Sequence, residues 1–442
     1  MQTNKPILIL VGILFFSSAK AQQNDTLSFT IVQAIDFAIA NNADVKNAYA
    51  DVAIANETVK EVKAIGIPQL SGQALFQDNL QKPVFVFPVN GVATPIRVGN
   101  KYTTQTSLNL SWLMLDGTYF LGLKAAKEFT EMSKRVASKT ETDVKIDVAK
   151  TYFMALIAKE NIQLLNTSYE TLNATLKEVT ALNKEGFAES LDVDRLQLQL
   201  NNLDISRRKL NDQSVIALGL LKAKMGIPQE KPIKITDDIA SLNQKFLLNE
   251  SDPNLNLNAR TDYQILKQQH LLNEYNLKRY RYGKYPNLAG AMVYQQSNFG
   301  ETIDYSTNNW FGNSFMALQL NVPIFSGFAN DAKIQKARIE IIKSENTLKN
   351  VENYINLEVS QTKLQYLRSL EYVEQQKENL ELATRIFNIT SIKYKEGVGS
   401  NLELITANQD LKTSQTNYLN AIYDLLVAKL DYQVAIGQTI KL

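Results

Sequence analysis

Two stretches without a glycine or proline, residues 123–185 and 328–396, constrain this chain more than any other feature. As continuous helix each would extend roughly 90–105 Å at 1.5 Å per residue. Such lengths exceed the globular range and point to a coiled coil or a helical tube. A seven-residue period runs along both, through Tyr366, Val373, Leu380, Phe387 and Tyr394 in one and Ile162, Tyr169 and Leu176 in the other. That period favours left-handed supercoiling of packed helices. Three positions on stand Ser369, Gln376, Ala383 and Thr390, too small and polar for a tight two-stranded zipper. They suit a wider tube with a wet interior, although a plain coiled-coil rod meets the same pattern.

The two stretches are parts of a duplication. Ile67-Pro68-Gln69-Leu70-Ser71-Gly72 matches Tyr285-Pro286-Asn287-Leu288-Ala289-Gly290, and Lys184-Glu185-Gly186 with Ser190-Leu191 matches Lys395-Glu396-Gly397 with Asn401-Leu402. Met225-Gly226 answers Ile436-Gly437, and the offset is about 210–218 residues throughout, far beyond a solenoid period. Each half reads as helix, two strands, a very long helix and a further helix. The expected division is a first repeat over 22–226, a Pro-containing irregular connector over 227–260 and a second repeat over 261–442.

The start reads as a signal peptide over residues 1–21. Lys5 supplies the positive region, residues 7–16 the apolar core and Ala19-Lys20-Ala21 the cleavage box, in the required order. The whole chain has 47 basic and 45 acidic residues; removing Lys5 and Lys20 leaves 45 of each. No basic field remains to attract nucleic acid. The absence of cysteine excludes disulfides, thiol catalysis, thiolate metal sites and an acylated N-terminus. After residue 21 no apolar run is long enough for a transmembrane helix, so any membrane passage must be made by β-strands.

Four segments fit that requirement, at about 68–78, 103–115, 286–296 and 313–325. In the second, Thr104, Thr106, Leu108, Leu110, Trp112 and Met114 fall on one face, and Gln105, Ser107, Asn109 and Ser111 on the other. In the fourth, Met316, Leu318, Leu320 and Val322 oppose Ala317, Gln319 and Asn321. An apolar face backed by uncharged polar residues fits a barrel between lipid and water, although a strand pair on a soluble core alternates in the same way. Trp112, Trp310, Phe311, Tyr102 and Tyr285 stand near strand ends, where an aromatic girdle lies. Four strands cannot close a barrel, and an open edge in lipid is not viable. Three chains would pool twelve, inside the range of about 8 to 26. The segments 79–101 and 297–312 are then expected as outer loops, with Pro88, Asn90-Gly91 and Asn308-Asn309 as turn formers.

Other signals are weak. His270 is the single histidine, which leaves little support for a histidine metal cluster or a Ser-His triad. There is no phosphate-loop motif. The run Lys278-Arg279-Tyr280-Arg281-Tyr282-Gly283-Lys284-Tyr285 interleaves bases with aromatics as a single-strand binder would. Its place immediately before a membrane strand favours interfacial anchoring. Neither catalytic residue, cofactor nor metal is expected.

In their order and duplication these residues resemble the TolC-like family of outer-membrane efflux proteins over nearly the whole mature chain. The features are Leu27-Ser28 before Ala34 and Asn41-Asn42, Pro68 and Pro286 at strand starts, and Val322-Pro323-Ile324-Phe325-Ser326-Gly327. The most specific is Tyr394-Lys395-Glu396-Gly397 followed by Leu402-Glu403-Leu404. The resemblance implies a mainly α protein forming a homotrimeric channel. Each protomer would give four strands to a shared 12-stranded transmembrane β-barrel that continues into a coiled-coil tunnel. It implies a Gram-negative outer-membrane location reaching into the periplasm. It also implies a periplasmic adaptor protein and an inner-membrane pump of RND or ABC type as partners, and residues 227–260 as part of an equatorial domain.

The same resemblance places a gate at the periplasmic tip, where the helices turn at Gly186 and Gly397. Glu403 takes the position of the family's constriction-lining carboxylate, and Thr406 that of a second acid. Tyr394 and Asp192 take the positions of an inter-hairpin pair. The arginine that joins this pair in the family is replaced by Gly399, and Arg195, Lys184 or Lys395 could stand in for it. Three converging Glu403 side chains would favour cations; a solvated surface glutamate is the plainer use. The expected function is a passive duct of a tripartite efflux or type I secretion system. The rival is a periplasmic coiled-coil scaffold or adhesin without a pore.

Overall fold

The computed structural model describes residues 26–89, 91–239, 242, 255–306 and 310–438. The expected signal peptide, the turn residues Asn90 and Asn308-Asn309, and much of the connector lie outside them. The chain begins with β1 (Leu27–Phe29), α1 (Ile31–Asn41) and α2 (Ala43–Ile65). Thr30 starts α1 with a capping box to Gln33, and the Asn42 side chain starts α2 by accepting from the Asp44 and Val45 N–H groups. Both caps satisfy donors that a helix start otherwise leaves unpaired.

The two glycine-free stretches are single helices. Helix α3 (Gly117–Lys184) runs 68 residues and returns through α4 (Ser190–Met225). After α5 (Thr261–Tyr282), helix α6 (Ala329–Lys395) runs 67 residues and returns through α7 (Asn401–Ala435). Leu165, Leu172 and Val179 of α3 recur every seven residues and, with Leu176, are buried against Leu196, Leu200 and Leu203 of α4. Along α6 the expected series contributes Tyr366 and Val373 to the buried set, and Ala383 of the small-residue line is buried with them. The main core lies midway along the helices. There Tyr152, Phe153 and Leu156 of α3 pack with Ile422, Leu426 and Leu430 of α7, Leu221 and Met225 of α4, and Ala34 and Ala38 of α1. No helix among the described residues is long and apolar enough to cross a membrane.

One four-stranded antiparallel sheet stands beyond the helices, in the order β2 (Gln69–Asp78), β5 (Tyr102–Leu115), β7 (Asn287–Gly300), β8 (Trp310–Asn321). The two repeats meet at the central pairing of β5 with β7, and β2 and β8 each keep one unpaired edge. Strand β8 stops at Asn321, short of the expected residue 325. Pro323 follows and has no N–H to continue a ladder. At the other end β7 runs on to Gly300 and β8 begins at Trp310. The expected loop 297–312 is therefore shorter, because Phe299 and Phe311 pack ring to ring, centroids 6.1 Å apart.

The expected outer loop 79–101 is a hairpin, β3 (Val84–Val89) with β4 (Val92–Arg97). Val, Phe and Ile dominate both strands, and these residues favour pleated structure. Val89 opposes Val92, and Gly91 takes a positive φ of 83°, as tight hairpin turns need. A separate parallel pairing joins β1 to β6 (Ile233–Ile235), tying the segment after α4 to the first described strand.

Candidate functional site

The sheet sorts its side chains by face. Direct cross-strand partners share a face, so the pairs Leu70–Leu110, Leu110–Met292 and Met292–Met316 form one continuous apolar row. Leu108–Tyr294, Gly290–Leu318 and Leu288–Leu320 extend it. These groups stand open: Met316 is 71% exposed, and Leu318 and Leu320 are each 63% exposed. The opposite face carries Ser71–Asn109, Gln73–Ser107, Gln295–Asn313 and Asn287–Asn321, interrupted by Val293–Phe315. None of its strand residues is ionisable. At the base, Leu113 pairs with Ala289 and Leu115 with Leu288. Met114 is thus the extra residue of a bulge, and Leu115 rather than Met114 joins the apolar row.

At the far tip, Gly186 and Gly397 end the turns after α3 and α6 with φ of 83° and 74°. Only glycine adopts this left-handed conformation without penalty. Asp192 lies in the first turn of α4, with Arg195 Nη1 3.9 Å from its carboxylate. Tyr394 packs on the α3–α4 leucine cluster beside Val193 and Ile405. Burial, then the charges of Asp192 and Glu178, push its hydroxyl pKa up. Tyr394 and Asp192 thus lie near enough across the two hairpins for the carboxylate's charge to act on the hydroxyl. Ser400 caps α7 by accepting from the Glu403 N–H at 3.2 Å. Glu403 and Thr406 are exposed, one turn apart on the same face, while Leu404 and Ala407 turn inward. The Thr406 hydroxyl donates back to the Leu402 carbonyl. A Cβ at Gly399 would lie 3.0 Å from the Tyr394 backbone nitrogen, so a side chain there would need the turn to give by a few tenths of an ångström.

Sequence reasoning missed Asn401. Its Nδ2 donates to the Asp192 carbonyl at 3.0 Å, linking the two turns. It missed two equatorial clusters as well. Tyr152, wholly buried, places its hydroxyl 3.0 Å from the Phe29 carbonyl and 2.8 Å from Asp237 Oδ2. The same carboxylate accepts from the Ile31 N–H at 2.7 Å. Arg260 donates to the Ala435 carbonyl at the end of α7 and pairs with Asp262 and Glu358. His270 Nδ1 is 2.7 Å from the Ser344 hydroxyl, and no cluster of metal-binding side chains occurs among the described residues.

A family model described as "Outer membrane efflux protein" matches residues 258–438. No curated protein sequence matches the chain. Among solved structures, the CusC transmembrane channel is similar at 17% identity with a TM-score of 0.75, over 92% of each chain. The outer membrane protein VceC of Vibrio cholerae is similar at 14% identity and a TM-score of 0.73, over 92% of this chain and 96% of that one. The CmeC outer membrane channel of Campylobacter jejuni is similar at 16% and 0.71, over 92% and 85%. Residues 258–438 thus match the outer membrane efflux protein model, and the described chain has the fold of the CusC and CmeC channels.

Proposed function

We propose that three copies of this chain form a passive export duct through the outer membrane and across the periplasm. The observation that carries this reading is the sheet, with one apolar face, one charge-free polar face and two unpaired edges. In lipid those edges need partners. A β8 edge joined to the β2 edge of the next copy supplies them, and three sheets close a twelve-stranded barrel with the apolar row outward. The strands, of 10 to 14 residues, meet the roughly 9–11 that a tilted transmembrane strand requires. The run before β7 keeps an anchoring arrangement: the Tyr282 and Tyr285 rings are 5.5 Å apart, and Lys284 pairs with Asp331 at 2.5 Å.

The helices support the same assembly. Leu191, Leu198 and Ile205 recur every seven residues on α4 and stay exposed, as do Leu382 and Ile389 on α6. Neighbouring copies cover such stripes in a tube. Gly186 and Gly397 then mark the periplasmic end, and Asp192, Tyr394, Glu403 and Thr406 form its gate. No chemistry of the chain itself drives transport. A periplasmic adaptor and an inner-membrane pump of RND or ABC type supply substrate and energy, as in tripartite efflux or type I secretion. Heat-modifiable migration of an outer-membrane fraction, with conductance of the purified protein in planar bilayers, tests this. A non-pore scaffold or adhesin would stay soluble or peripheral and carry no current.

A further inference from the structure

Asn401 occupies an unusual position for an amide. It is the first residue of α7, only 3% exposed, and its Nδ2 donates to the Asp192 carbonyl across the two repeats. Its Oδ1 is buried without a hydrogen-bond partner. The duplication makes the asymmetry plain: Ser190 is the repeat equivalent of Asn401, and Asp192 that of Glu403. Further up the same two helices, Gln199 Nε2 donates to Gln409 Oε1 at 3.3 Å, but that bond is exposed.

We propose that Asn401 is a positioning residue that latches the two helical turns together at the periplasmic tip, and that the latch is weak by construction. This rests on the gate proposed above. The closed junction gains one neutral hydrogen bond and leaves one dry, unpaired acceptor, which costs more than a neutral bond returns. Water satisfies both ends of the amide when the turns part, so the junction is poised for opening by a small outside force. The Asp192 carbonyl lies inside α4 and keeps a helical donor in either state. The opening balance therefore belongs to the Asn401 side chain. Gly399 itself carries no side chain to link the hairpins, and the Asn401 amide supplies that contact.

The test uses the assembled oligomer in planar bilayers, with heat-modifiable migration as the folding control. Asn401→Asp sets carboxylate oxygens against the Asp192 carbonyl and should raise conductance severalfold. Asn401→Leu keeps size and burial, removes donor and orphan acceptor together, and should give conductance at or below that of the parent. An unchanged Asn401→Asp channel, or an equal rise in both variants, overturns the latch. The chain has no cysteine, so Gln199→Cys with Gln409→Cys, bridged by a short bifunctional maleimide, provides a clamp across the same helices. Crosslinking should abolish the rise in Asn401→Asp; a rise that survives crosslinking sinks the tip gate itself, as distinct from the latch. Should Asn401→Asp not assemble, the rate of crosslinking decides. It should be faster in Asn401→Leu, whose turns stay together more of the time, and equal rates overturn the proposal.

Discussion

The indole of Trp112 lies on Gly290, its direct cross-strand partner where the two repeats pair. A Cβ at residue 290 would stand 2.5 Å from the indole ring carbons, so the glycine is what lets the ring lie flat on the apolar row. Gly290→Val should expel the indole and cost about 1–3 kcal/mol as an overpacked site, lowering the yield of heat-stable oligomer in outer-membrane fractions. Trp112→Phe should lose less, since a smaller ring still covers the backbone. Normal oligomer from Gly290→Val would show that the ring does not sit there.

Leu318 and Asn313 stand on the same strand and on opposite faces. Leu318→Lys places an ammonium on the apolar row, where a lysine near the bilayer midplane costs about 2–4 kcal/mol. Insertion of refolded protein into vesicles should fall sharply. Asn313→Lys enlarges only the wet face and should insert as the parent does. It should also shift the reversal potential under a salt gradient toward anions, because the strands' polar face carries no other charge. Equal insertion of the two variants would refute the assignment of faces.

These contrasts mark how far the sequence could be read. The long helices and the period-two strands are local patterns, repeated over enough residues that no tertiary knowledge is needed. The hairpin at 84–97 was open to the same reading, but Pro88 and Asn90-Gly91 drew it toward loop. In fact Pro88 sits on a two-stranded ribbon whose outer edge needs no N–H. The bulge that swaps Leu115 for Met114 depends on the offset of β7, which no property of β5 alone fixes. Asn401 and Arg260 were illegible for a related reason. Their partners Asp192 and Ala435 lie 209 and 175 residues away, and a polar residue beginning a helix looks the same whether solvated or buried.

Tyr152 pins strand β1 to the long helix α3 through the Phe29 carbonyl and Asp237. Tyr152→Phe takes the hydroxyl away from the Asp237 carboxylate and from the Phe29 carbonyl, which keeps the Thr236 N–H at 3.1 Å, and should cost about 1–3 kcal/mol, read as a lower thermal midpoint in detergent. Burial foremost, and then Asp237, raises the Tyr152 pKa well above the ordinary tyrosine value. The folded state therefore holds the proton longer than the unfolded chain. The resulting stability is fully present below about pH 10, the ordinary tyrosine value, and is lost as pH climbs from there toward the folded pKa. Alkaline titration should accordingly narrow the gap between parent and Tyr152→Phe. A gap that stays constant from pH 7 to about 11 would remove this tyrosine from the alkaline balance.

Asp192 and Glu403 are repeat equivalents in the first turns of α4 and α7, and in a trimer they would supply six carboxylates at one constriction. Each also sits where a helix dipole favours negative charge, worth about 0.3–1 kcal/mol, so neutralising them weakens the tip while widening it. Asp192→Ala with Glu403→Ala should raise single-channel conductance and lower cation preference together, because one ring sets both. In cells the same pair should increase sensitivity to large antibiotics. Glu403→Gln alone keeps the side chain's size and separates the two effects, lowering cation preference with little change in conductance. Conductance and selectivity both equal to the parent in the double variant would move the constriction elsewhere along the helices. A rise in conductance with selectivity intact would leave Asp192 and Glu403 as packing residues of a gate whose charge lies on other groups.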